Sequence, residues 1–255
     1  MHAKSGLRVV LKRKIYRPDS VIAAVMPLER KLDSKFVNSK IRGIIRPQLK
    51  TMGFSKFTAR NAWRFHDDRV DVLNFQSFNK YHADVMEITT YSFSVNLGCI
   101  YPDVPRSDGF PVCKTSKNGE LRPQEFECQF RGSLMPTIDQ KIPAERKVWY
   151  IDPDGNSLDV VFHDVSSQIA TVASSWYQTF SNVENAFQML LGHEQNMDEF
   201  WGFGNNPSPS RNYLIGYFAL KLGKKAVAKE HLSKALESGC FKQTAERIRR
   251  DMIAA

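Results

Sequence analysis

The segment TTYSFSVNLGCIY, residues 89–101, alternates without a break. Tyr91, Phe93, Val95, Leu97, Cys99 and Tyr101 share one parity; Ser92, Ser94, Asn96, Gly98 and Ile100 share the other. Successive side chains of an extended strand point to opposite faces, so this pattern predicts a strand with one apolar and one polar side. Two other segments read the same way. In 69–79, Val70, Val72, Asn74, Gln76 and Phe78 face one way and Leu73 and Phe75 the other. In 126–134, Phe126, Cys128, Phe130, Gly132 and Leu134 alternate with Glu127, Gln129, Arg131 and Ser133. The three together predict a sheet with an apolar face and a polar face.

Further strands are expected at 56–65, turning back through His66-Asp67-Asp68, and at 147–151. A polar connection follows 79, and 102–125 is a long loop rich in proline and glycine. Strands joined by turns and loops, without intervening helices, imply an antiparallel sheet of about five strands. Helices flank it. Leu28–Met52 carries an apolar stripe (Leu32, Phe36, Ile41, Ile44, Ile45, Leu49, Met52), with Pro47 set to kink it or restart it and Gly53 suited to its end. Asn156 or Ser157 caps a helix to about Ser175, with Leu158, Val161, Phe162, Val165, Ile169 and Val172 as its stripe. Ser181–Glu184 reads as a capping box and Gly192 as a stop. The fold class is therefore α+β, with an N-terminal helix and C-terminal helices packed on the sheet.

Four regions are expected: a basic segment 1–27, an α+β domain 28–201, a linker 202–210 and a helical tail 211–255. Tyr213–Glu237 resembles a single tetratricopeptide-like unit in its order of Gly216, Gly223, Ala228, Leu232 and Ala235, with Ala219 and Cys240 departing from that pattern. One such unit cannot bury its own faces, so the hairpin is expected to pack on the domain as a cap. A last helix is expected near Thr244–Ile253.

The net charge of +9 is concentrated at one end. Residues 1–60 hold 15 Lys/Arg against 3 Asp/Glu, and the remainder hold 21 against 24. Such asymmetry points to nucleic acid or an acidic surface, or to a solvated basic segment. The first eighteen residues, basic and free of acid, also allow a transit peptide or a natural start at Met26. No apolar run approaches the roughly 20 residues that span a bilayer; a cytoplasmic protein without membrane contact is expected. Cys99, Cys113, Cys128 and Cys240 form no C-x-x-C pair and read as reduced structural thiols.

Catalytic signatures are sparse. His66, His82, His163, His193 and His231 show no metal-ligand spacing, and neither a P-loop nor a G-x-S-x-G elbow occurs. Asp152-Pro-Asp154-Gly-Asn156 is a turn leading into a helix cap, since its glycine comes too early for a calcium loop. No metal and no cofactor is expected. Trp176-Tyr177 and Trp201-Gly202-Phe203 read as seals at a core edge, with an interface as the alternative.

Two constellations remain. On the polar side of the sheet, Asn74, Gln76, Ser94, Asn96, Glu127, Gln129 and Arg131 form either a solvated face or a binding cleft. Arg42, Arg46 and Lys50 sit four apart on one helix face, with Lys56 and Arg60 nearby, as a phosphate-binding alternative.

The order of landmarks also carries a resemblance. A leucine-rich helix ending in Gly53-Phe54 precedes Trp63-Arg64, Asn74-Phe75-Gln76 and Phe93-x-Val95-Asn96-Leu97-Gly98. Then come Glu127-Cys128 with Arg131 and Leu134, and Trp149 before a helix. Over residues 28–190 this resembles a bacterial family known only as a domain of unknown function (number 4304). The resemblance carries no activity with it and implies an immunity- or defence-associated, partner-binding role. The leading expectation is thus a non-catalytic module with a protein partner. Nucleic-acid binding through the basic quarter comes second, and a hydrolase using Glu127, Arg131 or His163 third.

Overall fold

The computed structural model describes residues 32–108, 113–192 and 208–254. The basic segment 1–27, the linker through residue 207, Trp201-Gly202-Phe203 and His193 lie outside the described residues. Five antiparallel strands form one sheet in sequential order: β1 Lys56–Phe57, β2 Asn61–Phe65, β3 Val70–Ser77, β4 Phe93–Ile100 and β5 Phe130–Ser133. The fold is α+β, with helices on both the N-terminal and C-terminal sides of the sheet.

The strand count matches the expectation, but its membership differs. Residues 56–65 break into two strands because Thr58–Asn61 closes a turn. Thr58 N–H donates to Asn61 O at 2.8 Å, and Asn61 N–H to Thr58 Oγ1 at 3.0 Å. Conversely, 147–151 makes only one bridge to the sheet, Trp149 opposite Phe93. The polar connection after β3 contains a short helix, α3 Lys80–Met86, capped by Asn79.

The first face of the sheet is the apolar one. Leu73 and Phe75 of β3, and Phe93, Val95, Leu97 and Cys99 of β4, join Phe130 of β5 in one buried core. Two kinked helices cover it. The first comprises α1 Ser34–Lys40, a π-helical turn Ile41–Ile45 and α2 Arg46–Thr51. Asp33 caps it, Pro47 opens α2 as the N-terminal proline of a restarted helix, and Gly53 turns the chain out at φ +89°. The second comprises α4 Leu158–Gln168, a π-helical turn Ile169–Ala173 and α5 Ser174–Thr179. The wider turn advances the helix by one residue, so the buried stripe runs Val161, Val165, Ile169, Ala173 and leaves Val172 exposed. Gln48 and Ser166 lock the two helices by a reciprocal pair of 2.8 Å hydrogen bonds. Trp176 and Tyr177 are core residues, and the Tyr177 hydroxyl donates to Val72 O at 2.5 Å.

Helix α6, Val183–Leu191, is capped by Asn182, one residue after the expected Ser181, and ends at Gly192. Helices α7 Pro209–Lys221 and α8 Lys225–Glu237 form an antiparallel hairpin followed by α9 Ala245–Ala254. A methyl group on Gly216 would lie 2.5 Å from Leu232 Cγ, so the glycine sets how closely α7 and α8 approach. Phe218 of α7 packs edge-on against Tyr101 and Phe130, placing the hairpin in the same core as the sheet. No helix among the described residues is long and apolar enough to cross a membrane.

Candidate functional site

The second face of the sheet is divided along its length. Toward one end, Trp63, Val70, Val72 and Ile100 form a small apolar cluster covered by Cys128. The Trp63 indole N–H donates to Pro123 O at 2.8 Å, which pins the chain before β5 across the sheet. A side chain is missing at Gly98 because the Cys128 thiol fills that place: an added Cβ would lie 2.7 Å from Sγ. Behind this cluster, on the first face of the same strands, Asp71 stands opposite Cys99, fully buried yet charged. Arg64 (2.8 Å), His66 (2.9 Å) and Arg69 (3.3 Å) surround it. Burial opposes its charge, but the His66 hydrogen bond and the two guanidinium groups outweigh that and hold its pKa below the usual carboxylate value.

The other half of the face is open and holds a cleft of about 590 Å³. Register builds its floor. Asn61, Asn74, Asn96 and Ser133 stand directly opposite one another across β2, β3, β4 and β5, where cross-strand neighbours touch. Asn74 Nδ2 donates to Asn61 Oδ1 at 2.6 Å, and Asn61 Nδ2 to Gln124 Oε1 at 3.4 Å. Ser133 Oγ donates to Asn96 Oδ1 at 2.9 Å, and Asn96 Nδ2 to Gln76 Oε1 at 2.8 Å. These two chains fix the amides and leave the Asn74 carbonyl and the Gln76 amino group outside them.

The walls come from loops. A 3-10 turn, Glu125–Glu127, rises beside β5, and its Glu125 accepts from Arg131 Nε at 2.8 Å. Phe126 on this turn is 52 % exposed at the rim. Opposite stands Arg60, delivered by the turn between β1 and β2. Its Nη1 is buried and has no hydrogen-bond partner among the described residues. Burial alone lowers its pKa, with no carboxylate to offset the loss of water.

The structure thus gathers Asn74, Gln76 and Arg131 on the cleft, with Asn96 as the support beneath Gln76 and Ser94 buried across from it. Glu127 and Gln129 are placed elsewhere. The residues before Phe130 turn instead of extending, so the strand expected over 126–134 is only four residues long. Cys128 and Phe130, expected on one face, lie in clusters on opposite faces. Glu127 Oε2 accepts from Gln124 N–H at 2.6 Å as part of a capping box. The Gln129 amide accepts from Tyr101 N–H (2.8 Å) and donates to Tyr101 O (3.1 Å), extending the β4 ladder as backbone would.

The five basic residues divide as well. Arg42 and Lys50 are exposed on the helix. Arg46 donates to Thr58 O at 2.7 Å and lies 4.9 Å over Phe57. Lys56 faces Glu120 at 3.8 Å. Only Arg60 lines the cleft, so the polar-face and basic constellations meet at that residue. Glu127, Arg131 and His163 are not brought together: His163 is exposed on α4, which covers the first face, while Arg131 projects from the second. Among the described residues no group of three or more His, Cys, Asp or Glu is placed to hold a metal. Asp152 caps the turn before α4 through backbone N–H groups of Asp154, Asn156 and Ser157. Burial works against its charge, yet these bonds bring its pKa down to about 2.

Sequence reasoning missed Asn61, Gln124 and Glu125. Asn61 was in principle legible, since pairing β2 with β3 about the His66 turn sets it opposite Asn74. The sequence profile of the family described as Domain of unknown function (DUF4304) matches residues 45–179, just over half of the chain. The chain belongs to this family. The DUF4304 region contains every strand of the sheet, the 3-10 turn and the whole cleft, and it ends with α5. Neither curated proteins nor solved structures match the chain.

Proposed function

We propose that this DUF4304 protein is a non-catalytic protein-binding module whose contact site is the cleft on the open half of the sheet. One observation carries the reading: the floor amides are fixed by each other, with one acceptor (Asn74) and one donor (Gln76) left outward. A floor ordered before binding costs little entropy on association, which is the basis of preorganised recognition. The C-terminal hairpin, read as a single tetratricopeptide-like unit, braces the core from the far side. An immunity- or defence-associated role in a bacterial cytoplasm agrees with this kind of site.

Affinity purification from the native host, with and without nuclease, tests the proposal. A stoichiometric protein partner that survives nuclease and is lost from the Gln76→Ala/Arg131→Ala double variant is the expected result. A partner held equally by that variant would overturn it. The exposure of Arg42 and Lys50 favours one second reading, nucleic-acid binding along the first helix. It predicts partners lost with nuclease and an affinity falling steeply with salt.

A further inference from the structure

Resting on the reading of the cleft as a protein-binding site, we infer that its occupant is an acidic, extended peptide segment. A Glu or Asp carboxylate of the segment meets the Arg60 guanidinium, and its backbone pairs with Asn74 and Gln76. Three observations converge on this occupant. First, the cleft's charges are Arg60, Arg131 and Glu125, and Arg131 is already engaged by Glu125 at 2.8 Å. One positive charge is left, which matches one carboxylate better than a run of phosphates. Second, Arg60 is the cleft group whose charge is held partly out of water with a buried Nη1 lacking a partner among the described residues. A carboxylate in the cleft supplies a charge-assisted bond to the accessible N–H groups of this guanidinium, whose charge no carboxylate among the described residues meets. Third, the outward groups on β3 are one amide carbonyl and one amide amino group, two residues apart. An extended peptide offers the matching N–H and C=O along its length. Phe126 at the rim adds an apolar contact beside the charge.

The test uses the full chain, reading Arg Nε–H and Asn/Gln side-chain amide signals by NMR. The probe is a blocked five-residue peptide of alternating serine and glutamate, compared with its glutamine counterpart and with a hexathymidylate oligonucleotide. The glutamate peptide is expected to shift the Arg60 and Gln76 signals saturably. The glutamine peptide should bind about tenfold more weakly, the scale of one charged hydrogen bond. Arg60→Gln should reduce the response to that of the glutamine peptide, Arg60→Lys should restore part of it, and Arg42→Gln should leave it unchanged. Each variant's amide spectrum checks that the fold is kept. Equal binding of the two peptides, or no shift at Arg60, overturns the inference. So does tighter saturation of the same signals by the oligonucleotide, which makes the occupant a nucleic acid. A stoichiometric partner sensitive to Gln76 and Arg131 combined with a silent Arg60 would leave the module reading standing and remove only the acidic occupant.

Discussion

The two faces of the sheet treat charge in opposite ways. On the covered first face, the Asp71 carboxylate has no exposure and is met by three cationic or hydrogen-bonding side chains. On the open half of the second face, the Arg60 guanidinium is partly buried and meets no carboxylate among the described residues. Asp71 lies on β3 opposite Arg64 of β2, whereas Arg60 stands in the turn just before β2, level with Phe75 farther along β3. The difference separates a polar group kept for the fold from one kept at the fold's expense. Charges that stabilise a native state are satisfied inside it; a binding residue is satisfied only when its ligand arrives.

The largest expected effect comes from Asp71→Ala. Removing the carboxylate takes the ion-pair partner from Arg64 and leaves Arg69, itself nearly buried, with only the more distant Asp68 at 3.9 Å. Loss of one partner from a buried ion cluster costs about 3–5 kcal/mol, readable as a lower urea midpoint. The same residue fixes a pH dependence. Its folded pKa lies below the ordinary 3.8, so between those values the unfolded chain holds the proton more often than the folded one. The contribution of Asp71 is therefore complete above the ordinary value and is lost as pH falls through the folded value. Urea midpoints at pH 5 and pH 3 should differ, and Asp71→Asn should shrink that difference. Asp152 titrates in the same acid range and its contribution should survive in the variant.

An intermediate effect belongs to the glycines that set each face's covering. At Gly98 an added methyl meets Cys128 Sγ at 2.7 Å and the Glu125 backbone at 3.3 Å. Gly98→Ala should cost about 1–3 kcal/mol as overpacking, and because Glu125 is a wall of the cleft it should also disturb the Arg131–Glu125 pair. Gly132→Ala, whose methyl would meet Trp176 on the first face at 2.7 Å, should cost a similar amount. Its side-chain signals at the cleft should stay put. If both variants perturb the cleft alike, the two faces are coupled and the division drawn here fails.

How far this was readable from residues alone follows the same line. The faces of β3 and β4 were legible because eight-residue strands carry enough alternation to fix their phase. The cleft's floor came with them, since Asn74, Gln76 and Asn96 are set by parity. The walls did not. The chain before Phe130 alternates as well as any strand, yet it turns, because Cys128 fills the gap over Gly98 and Gln129 replaces a missing strand beside Tyr101. Those partners lie about thirty residues apart, and no local pattern encodes them. The turn that presents Arg60 was hidden for a different reason: Thr58-Ala59-Arg60-Asn61 closes through a threonine hydroxyl, without glycine or proline. The π-helical turns in both covering helices likewise leave no mark in the periodicity beyond the misplaced Ile44 and Val172, both expected in the buried stripes and both exposed.

The smallest effect is the most telling. Arg60→Gln removes a charge that the described residues do not use, while its backbone carbonyl, which accepts from Phe75 N–H at 2.7 Å, is untouched. Stability should change by less than about 0.5 kcal/mol in either direction, a shift within the scatter of a urea curve. A binding residue differs from a structural one in this respect: its removal is nearly silent in the free protein and shows only in the complex. If Arg60→Gln destabilises on the scale of Asp71→Ala, the guanidinium serves the fold as Asp71 does, and the open half of the face is a surface without a ligand.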